Sequence, residues 1–380
     1  MTPSRLVFGI ERAWLAADRL WPPFVNQLVV QGEGTPDPDA WSRALAAVLP
    51  SWPALGARLR GVVSRARWTA DGSPPRLSVV DGNLGRPGHP ALARPLDAEA
   101  GPVVEVVLGP GHVVLRTHHA LFDGRAAWAL AEDLGAALRG ASIRGARFAD
   151  VREPPAPRWP EAPTLVPLAV CGPADVAAPP TWTRRTLRTS TRGLVPRLAV
   201  ALTRSRGEAL RISVPVDLRE SGDRVAANLT GFVRVTLGVG DELAEVKIRL
   251  REALASDEAR GSLGAADGLR HLPLWLIAAL GGRSARAELN AGRARSSAAI
   301  SNLGRQDAGV FDEPGFVGRS LWWIPPANPG SPCFLTLTGH AEGVELCVAL
   351  AAGLGADGRL DAVADSLAAA MAPLQEGGSE

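Results

Sequence analysis

The sequence predicts an α+β fold built as two αβ halves, and three observations carry that expectation. At 380 residues the chain is too long for one simple core and suits two units of about 190 residues each. Strand-like and helix-like runs are interspersed on both sides of the midpoint, which excludes an all-helical or all-strand architecture. Between them the stretch from Glu153 to Pro180 holds nine prolines, a density that neither a helix nor a central strand sustains. The expected division is a first half over residues 1–155, a crossing linker over 156–180 and a second half over 181–380.

Composition narrows the class. With 46% hydrophobic and 21% charged residues the chain has the balance of an ordinary soluble globular protein. A net charge of +2 gives no electrostatic footprint on the scale that nucleic acid requires. All but one of the 41 basic residues are arginine, Lys247 being the exception, and tyrosine is absent, which reads as a coding bias. Cys171, Cys333 and Cys347 are scattered and odd in number, which argues against a disulfide framework and for a reducing compartment. The N-terminus carries Arg5, Glu11, Arg12, Asp18 and Arg19 with no apolar leader, and no run of 18 apolar residues occurs. A cytoplasmic protein without a transmembrane segment is expected.

In chain order, Glu11, Trp14, Leu15 and Asp18 suggest a short helix that Trp21-Pro22-Pro23 ends. Phe24 to Gln31 reads as a strand. Asp37-Pro38 opens a helix whose apolar face is Trp41, Leu45, Val48 and Leu49. Gly61 to Thr69 and Arg76 to Val80 read as strands around an Asp71-Gly72 turn. Val103 to Leu108 and His112 to Thr117 form a hairpin through Gly109-Pro110-Gly111. Ala126, Ala127, Leu130, Leu134 and Leu138 then recur at helical spacing.

Past the linker, Trp182 to Thr189 is a strand and Leu194 to Ser205 a helix with Pro196 in its first turn. Phe232 to Gly238 is strand-like, and Glu242 to Leu254 and Gly268 to Leu280 are helix-like. Gly281-Gly282 is expected to terminate the latter helix. Phe316 to Ile324, Phe334 to Thr338 and Val344 to Ala349 are expected to close the second sheet, before a last helix from Leu360 to Met371.

Chemistry gathers where the hairpin runs into the helix, in His118-His119-Ala-Leu-Phe-Asp123-Gly124. The histidines sit at a strand end. Asp123-Gly124 supplies a turn and a helix N-terminus, where a carboxylate bonds free N–H groups and complements the dipole. On the residues alone, such a histidine pair is also compatible with a satisfied core pair or with two metal ligands. A zinc site needs a third ligand at suitable spacing, however, and neither HExxH nor CxxC occurs to supply one.

The HHxxxDG pattern resembles the signature of the chloramphenicol acetyltransferase-like superfamily, which includes nonribosomal peptide condensation domains, wax ester synthases and plant alcohol acyltransferases. Further segments resemble it in the same order: Trp52-Pro53-Ala54-Leu55 with Arg58, then Val214-Pro-Val-Asp217-Leu-Arg219, then Asn228-Leu-Thr-Gly231, then Ser301-Asn302-Leu-Gly304. The plant-type DFGWG motif is missing. The resemblance covers nearly the whole chain and implies two similar αβ sandwich halves with a channel between them.

It also implies the chemistry: acyl transfer from a pantetheine thioester, on coenzyme A or a carrier protein, to an alcohol or amine, with no bound cofactor or metal. His119 would be the general base, His118 its neighbour in the motif, and Asp123 a structural carboxylate bound by Arg219 from the other half. The Gly124 N–H and the Ser301 or Asn302 side chain are oxyanion candidates, and Asn228 a channel candidate. The segments beside the presumed centre (Leu121, Phe122, Leu303, Phe316, Trp322, Trp323) suggest an apolar acceptor. A second class of function stands beside this one: a catalytically silent condensation-like domain that binds a carrier protein or another partner. A metal-dependent hydrolase is third.

Three matches are set aside. Gly353-Leu-Gly355-Ala-Asp-Gly358 fits GxGxxG, but a dinucleotide site needs the rest of a βαβ unit, and a Gly-rich turn with Asp357 near the N-terminus of the last helix is the plainer reading. Leu280-Gly-Gly-Arg-Ser284 resembles a phosphopantetheine attachment site, but there is no room around it for a carrier domain. Neither GxSxG nor a P-loop lysine occurs.

Overall fold

A computed structural model describes residues 2–150, 164–170, 181–189, 192–328, 332–351, 354 and 359–371. Most of the proline-rich stretch, Cys171 and all but one residue of the GxGxxG match lie outside them. Along the first part of the chain run β1 (Ser4–Leu6), α1 (Gly9–Leu20), β2 (Val25–Gly34), α2 (Pro38–Val48), β3 (Arg58–Arg60), β4 (Arg67–Thr69) and β5 (Arg76–Val79). A short α3 (Pro90–Ala93), β6 (Val104–Gly109), β7 (His112–His118) and α4 (Gly124–Leu138) follow. Next come β8 (Val166–Pro167), β9 (Thr181–Leu187), α5 (Leu194–Arg206), β10 (Leu210–Asp217), β11 (Thr230–Leu237), α6 (Leu243–Ala255), α7 (Glu258–Ala265) and α8 (Leu274–Asn290). The chain closes with β12 (Arg293–Ala294), β13 (Ala298–Arg305), β14 (Phe316–Ile324), β15 (Cys333–His340), β16 (Gly343–Leu350) and α9 (Arg359–Met371).

Two large sheets organise these elements into an α+β, two-lobed molecule. The first has strand order β14-β2-β7-β6-β5, the second β11-β10-β13-β15-β16-β9. Alternation along β7 explains why every one of its residues is buried. Val113 and Leu115 enter the first lobe's core with Trp41, Trp52 and Leu130. Val114 points the other way, into a cluster with Trp322, Trp182, Cys347 and Ala349 that joins the two sheets. The hairpin to β6 pairs Val104 with Thr117 and Gly109 with His112, and Gly111 takes φ +68° in the turn, a conformation glycine adopts without a steric penalty.

Helix starts follow local chemistry. Asp37 caps α2 by accepting the Asp39 N–H, with Pro38 in the first turn. Glu11 reaches back to the Phe8 N–H at the start of α1. Asp123 accepts the Ala126 N–H at the start of α4.

Four sequence expectations need correction. Phe316 to Ile324 does not close the second sheet: β14 crosses to the first lobe and pairs antiparallel with β2 from Phe316 opposite Gly34 to Ile324 opposite Gln27. Gly281 and Gly282 do not end a helix but lie inside α8, which packs on α1; a Cβ on Gly282 would stand 3.2 Å from Leu20 Cδ2. Gly61 to Thr69 is not one strand, because a 3-10 turn at Val63–Arg65 leaves only β4. Leu49 lies beyond the end of α2 in a 3-10 turn and is exposed, so the apolar face of that helix is Trp41, Ala44, Leu45 and Val48. Helix α7 has no counterpart in the sequence reading.

Candidate active site

His119 leaves β7 one residue past its last paired position, and the strand therefore aims the ring into the gap between the sheets. Its surroundings are an aromatic clamp. Trp14 stacks on it at 5.7 Å between ring centroids, and Phe24 lies 5.3 Å away, tilted. On the Nδ1 edge the ring meets the Phe122 carbonyl at 3.2 Å and the Asn26 amide at 2.8 Å. No partner contacts Nε2 among the described residues, and His119 lines a cavity of about 360 Å³ between the lobes. Burial pushes the imidazole down to about 4, with the Phe122 carbonyl and the Asp123 charge pulling weakly the other way. The ring is therefore neutral at pH 7.

The cavity is apolar with a few convergent polar groups, the usual composition of a small-molecule site. Trp14, Phe24, Phe232, Trp323 and Phe334 supply the walls. Gly124, Asn228, Thr230, Ser301 and Asn302 also line it, as do Arg125 and Asp217, which approach each other at 3.3 Å. Asn302 Oδ1 accepts the Gly304 N–H. Asn228 donates its amide to the His119 backbone carbonyl at 2.8 Å, so it holds the histidine's main chain as well as lining the wall. Its own N–H reaches buried Glu11, which Arg5 and the Trp68 indole also bind, anchoring this loop to α1.

His118 and Asp123 face elsewhere. His118 is fully buried, accepts the Ala120 N–H at 3.2 Å and stands 3.5 Å from Asp18, edge-on to Trp68. Asp123 turns from the cavity toward the second lobe. Its Oδ2 accepts from Arg219 at 2.7 Å, from the Leu229 N–H at 2.9 Å and from the Thr230 hydroxyl at 3.2 Å, while Oδ1 caps α4. Burial alone would raise this carboxyl; the Arg219 charge and these donors prevail and hold it below the usual carboxylate range.

The structure thus gathers His119, Gly124, Asn228, Ser301 and Asn302 around one space and places His118, Asp123 and Arg219 behind it. Of the apolar segments expected there, Leu303 and Trp323 line the cavity. Leu121, Phe122 and Phe316 belong instead to the first lobe's core, and Trp322 to the cluster joining the sheets. Trp14, Phe24, Asn26 and Phe232 were missed. Asn26 carried a signal, a polar pair with Gln27 between the apolar Phe24-Val25 and Leu28-Val29-Val30 of the same run. Among the described residues no group of three metal-ligating side chains occurs.

No family model matches the chain, and no curated protein matches it in sequence. Solved structures do match in shape. The first condensation domain of the calcium-dependent antibiotic synthetase, in complex with a substrate analogue, superposes with TM-score 0.66 at 17% identity, over 98% of this chain and 95% of that one. The epimerization domain from the third module of tyrocidine synthetase B gives 0.62 at 13%, over 98% and 96%. A mutant starter condensation domain of rhizomide synthetase in complex with C8-CoA gives 0.60 at 13%, over 97% and 94%. From one end to nearly the other, this chain has the two-lobed fold of condensation and epimerization domains.

Proposed function

We propose that the protein transfers an acyl group from a pantetheine thioester to an alcohol or amine, with His119 as general base. The observation that carries the reading is the setting of His119: a neutral imidazole with one nitrogen held by protein groups and the other open to an inter-lobe cavity. In the reaction the acceptor's heteroatom attacks the thioester carbonyl while Nε2 takes its proton. The tetrahedral oxyanion forms beside the first turn of α4, where the Gly124 N–H has no intrahelical acceptor, and near Ser301. Collapse breaks the C–S bond, and the imidazolium returns its proton to the departing thiolate. No acyl-enzyme is needed. Burial pushes the Cys333 thiol up to about 12 and Cys347 higher still, so neither described cysteine offers a thiolate.

Coenzyme A is one donor of this class, since a neighbour of the same fold was solved with C8-CoA; a carrier-protein thioester is the other. The test is thiol release from a panel of acyl-coenzyme A and acyl-carrier-protein donors, with and without alcohols and amines. Thiol that appears only with acceptor supports the reading, and competition between the two donor forms ranks them. A folded protein that accepts no pantetheine thioester would instead be a silent binding module.

A further inference from the structure

His119 Nδ1 stands between a donor and an acceptor that are themselves bonded to each other. Asn26 Nδ2 is 2.8 Å from the Phe122 carbonyl and 2.8 Å from Nδ1, while Nδ1 is 3.2 Å from the same carbonyl. The amide orientation is fixed: an Asn26 oxygen in that position would face the Phe122 oxygen at 2.8 Å with no hydrogen between them. Two N–H groups on Asn26 therefore point at Phe122 and at His119. With a proton on Nδ1, that nitrogen and Asn26 Nδ2 would oppose each other as two donors. With a lone pair there, every group in the triangle is satisfied.

We propose that Asn26 is a positioning residue that sets the tautomer of His119, keeping the lone pair on Nδ1 and the proton on Nε2 in the free protein. Asn26 is buried on β2, opposite Thr117 of β7, so the sheet itself holds the amide against the ring. The inference rests on the base role given to His119 above and adds a condition to it. Base catalysis at Nε2 draws on the other tautomer, in which the Asn26 amide turns aside and Nδ1–H donates to Phe122. Interconversion moves one proton from Nε2 to solvent and one from solvent to Nδ1, with no net change. The charged and titratable groups around the ring are His118 from β7, Asp123 and Arg125 at the start of α4, and Asp217 from β10. The faces supplied by α1 and by the residue that leads into β2 are Trp14 and Phe24.

The experiment is long-range proton–nitrogen correlation NMR on the full chain labelled with 15N-histidine, above pH 6, with His119 assigned by the signal lost in His119→Ala. The expected result is a proton on Nε2 in the wild type and on Nδ1 in Asn26→Leu and Asn26→Ala. The acidic limb of the transfer rate should also rise by roughly one pH unit in these variants, the size of one lost hydrogen bond to the neutral ring. A wild-type proton on Nδ1 overturns the inference by itself, even should both variants fail to fold. So does an identical tautomer in wild type and folded variants. The expected tautomers in a protein that transfers no acyl group would sustain the inference and remove the base role instead.

Discussion

At the scale of single residues, the two adjacent histidines have unequal surroundings, and their substitutions should separate. His119→Ala removes the only histidine that lines the cavity and should lower transfer by about 100- to 10,000-fold, the usual span for a lost general base. His118→Ala empties a packed position against Trp68 and Asp18; it should cost stability with a smaller loss of rate. Equal, small losses from both would remove the assignment. The depressed His119 value sets the pH dependence. Below about 4 the ring is an imidazolium with no lone pair, so kcat/KM should fall on an acidic limb near that value rather than near 6.5. The same shift acts on folding. Between the ordinary histidine value and about 4 the unfolded chain binds a proton that the folded ring refuses, so wild type should lose stability relative to His119→Ala as pH falls through that window. Melting curves of the two proteins across that range check the sign.

At the scale of elements, helix α4 carries the most stringent constraints. Asp123 is both its N-cap and the buried partner of Arg219, with side-chain exposures of 1% and 5%. Asp123→Ala removes the cap of α4 and one of the two carboxylates on the buried Arg219, which keeps Asp217 at 2.8 Å, and should cost about 1 to 3 kcal/mol, read as a lower melting temperature along with lost activity. One turn from its end, a Cβ on Gly135 would stand 1.9 Å from the Val310 carbonyl oxygen. Gly135→Ala should therefore destabilise the protein, although alanine is the better helix former by about 1 kcal/mol; a raised melting temperature would contradict this packing. Such glycines show what the sequence could and could not convey. The strand and helix around HHxxxDG were legible because period, turn residues and cap agree there. Gly281-Gly282 misled because a glycine pair reads as a terminator unless one knows that Leu20 of α1 occupies the space beside it. The site was legible in the polar members that a motif names, and not in Asn26, Trp14, Phe24 or Phe232, which approach His119 only through tertiary packing.

At the scale of the whole molecule, the two halves of the sequence are not the two lobes of the structure. Local pattern identified β14 as a strand but carried no information about its partner, since pairing depends on contacts almost 300 residues apart. The crossing has a mechanical consequence. Without β14 the β2 edge would present unpaired N–H and C=O groups along its length, and the first lobe's core would lose Phe316, Leu321 and Trp323, all buried in it. Fully burying one such side chain contributes about 1.5 to 3 kcal/mol, and their sum is comparable with the whole stability of an ordinary domain, about 5 to 15 kcal/mol. A fragment ending at residue 150 contains the complete HHxxxDG motif and α4, yet it lacks this strand and the Arg219 partner of Asp123. It should therefore fail to fold, giving a collapsed amide proton spectrum and no cooperative melting transition. Adding a peptide that spans Phe316–Ile324 should not restore it, because the buried Asp123 carboxylate still has no counter-charge. A fragment that melts cooperatively on its own would show that the first lobe is autonomous and that the β14 crossing contributes little to its stability.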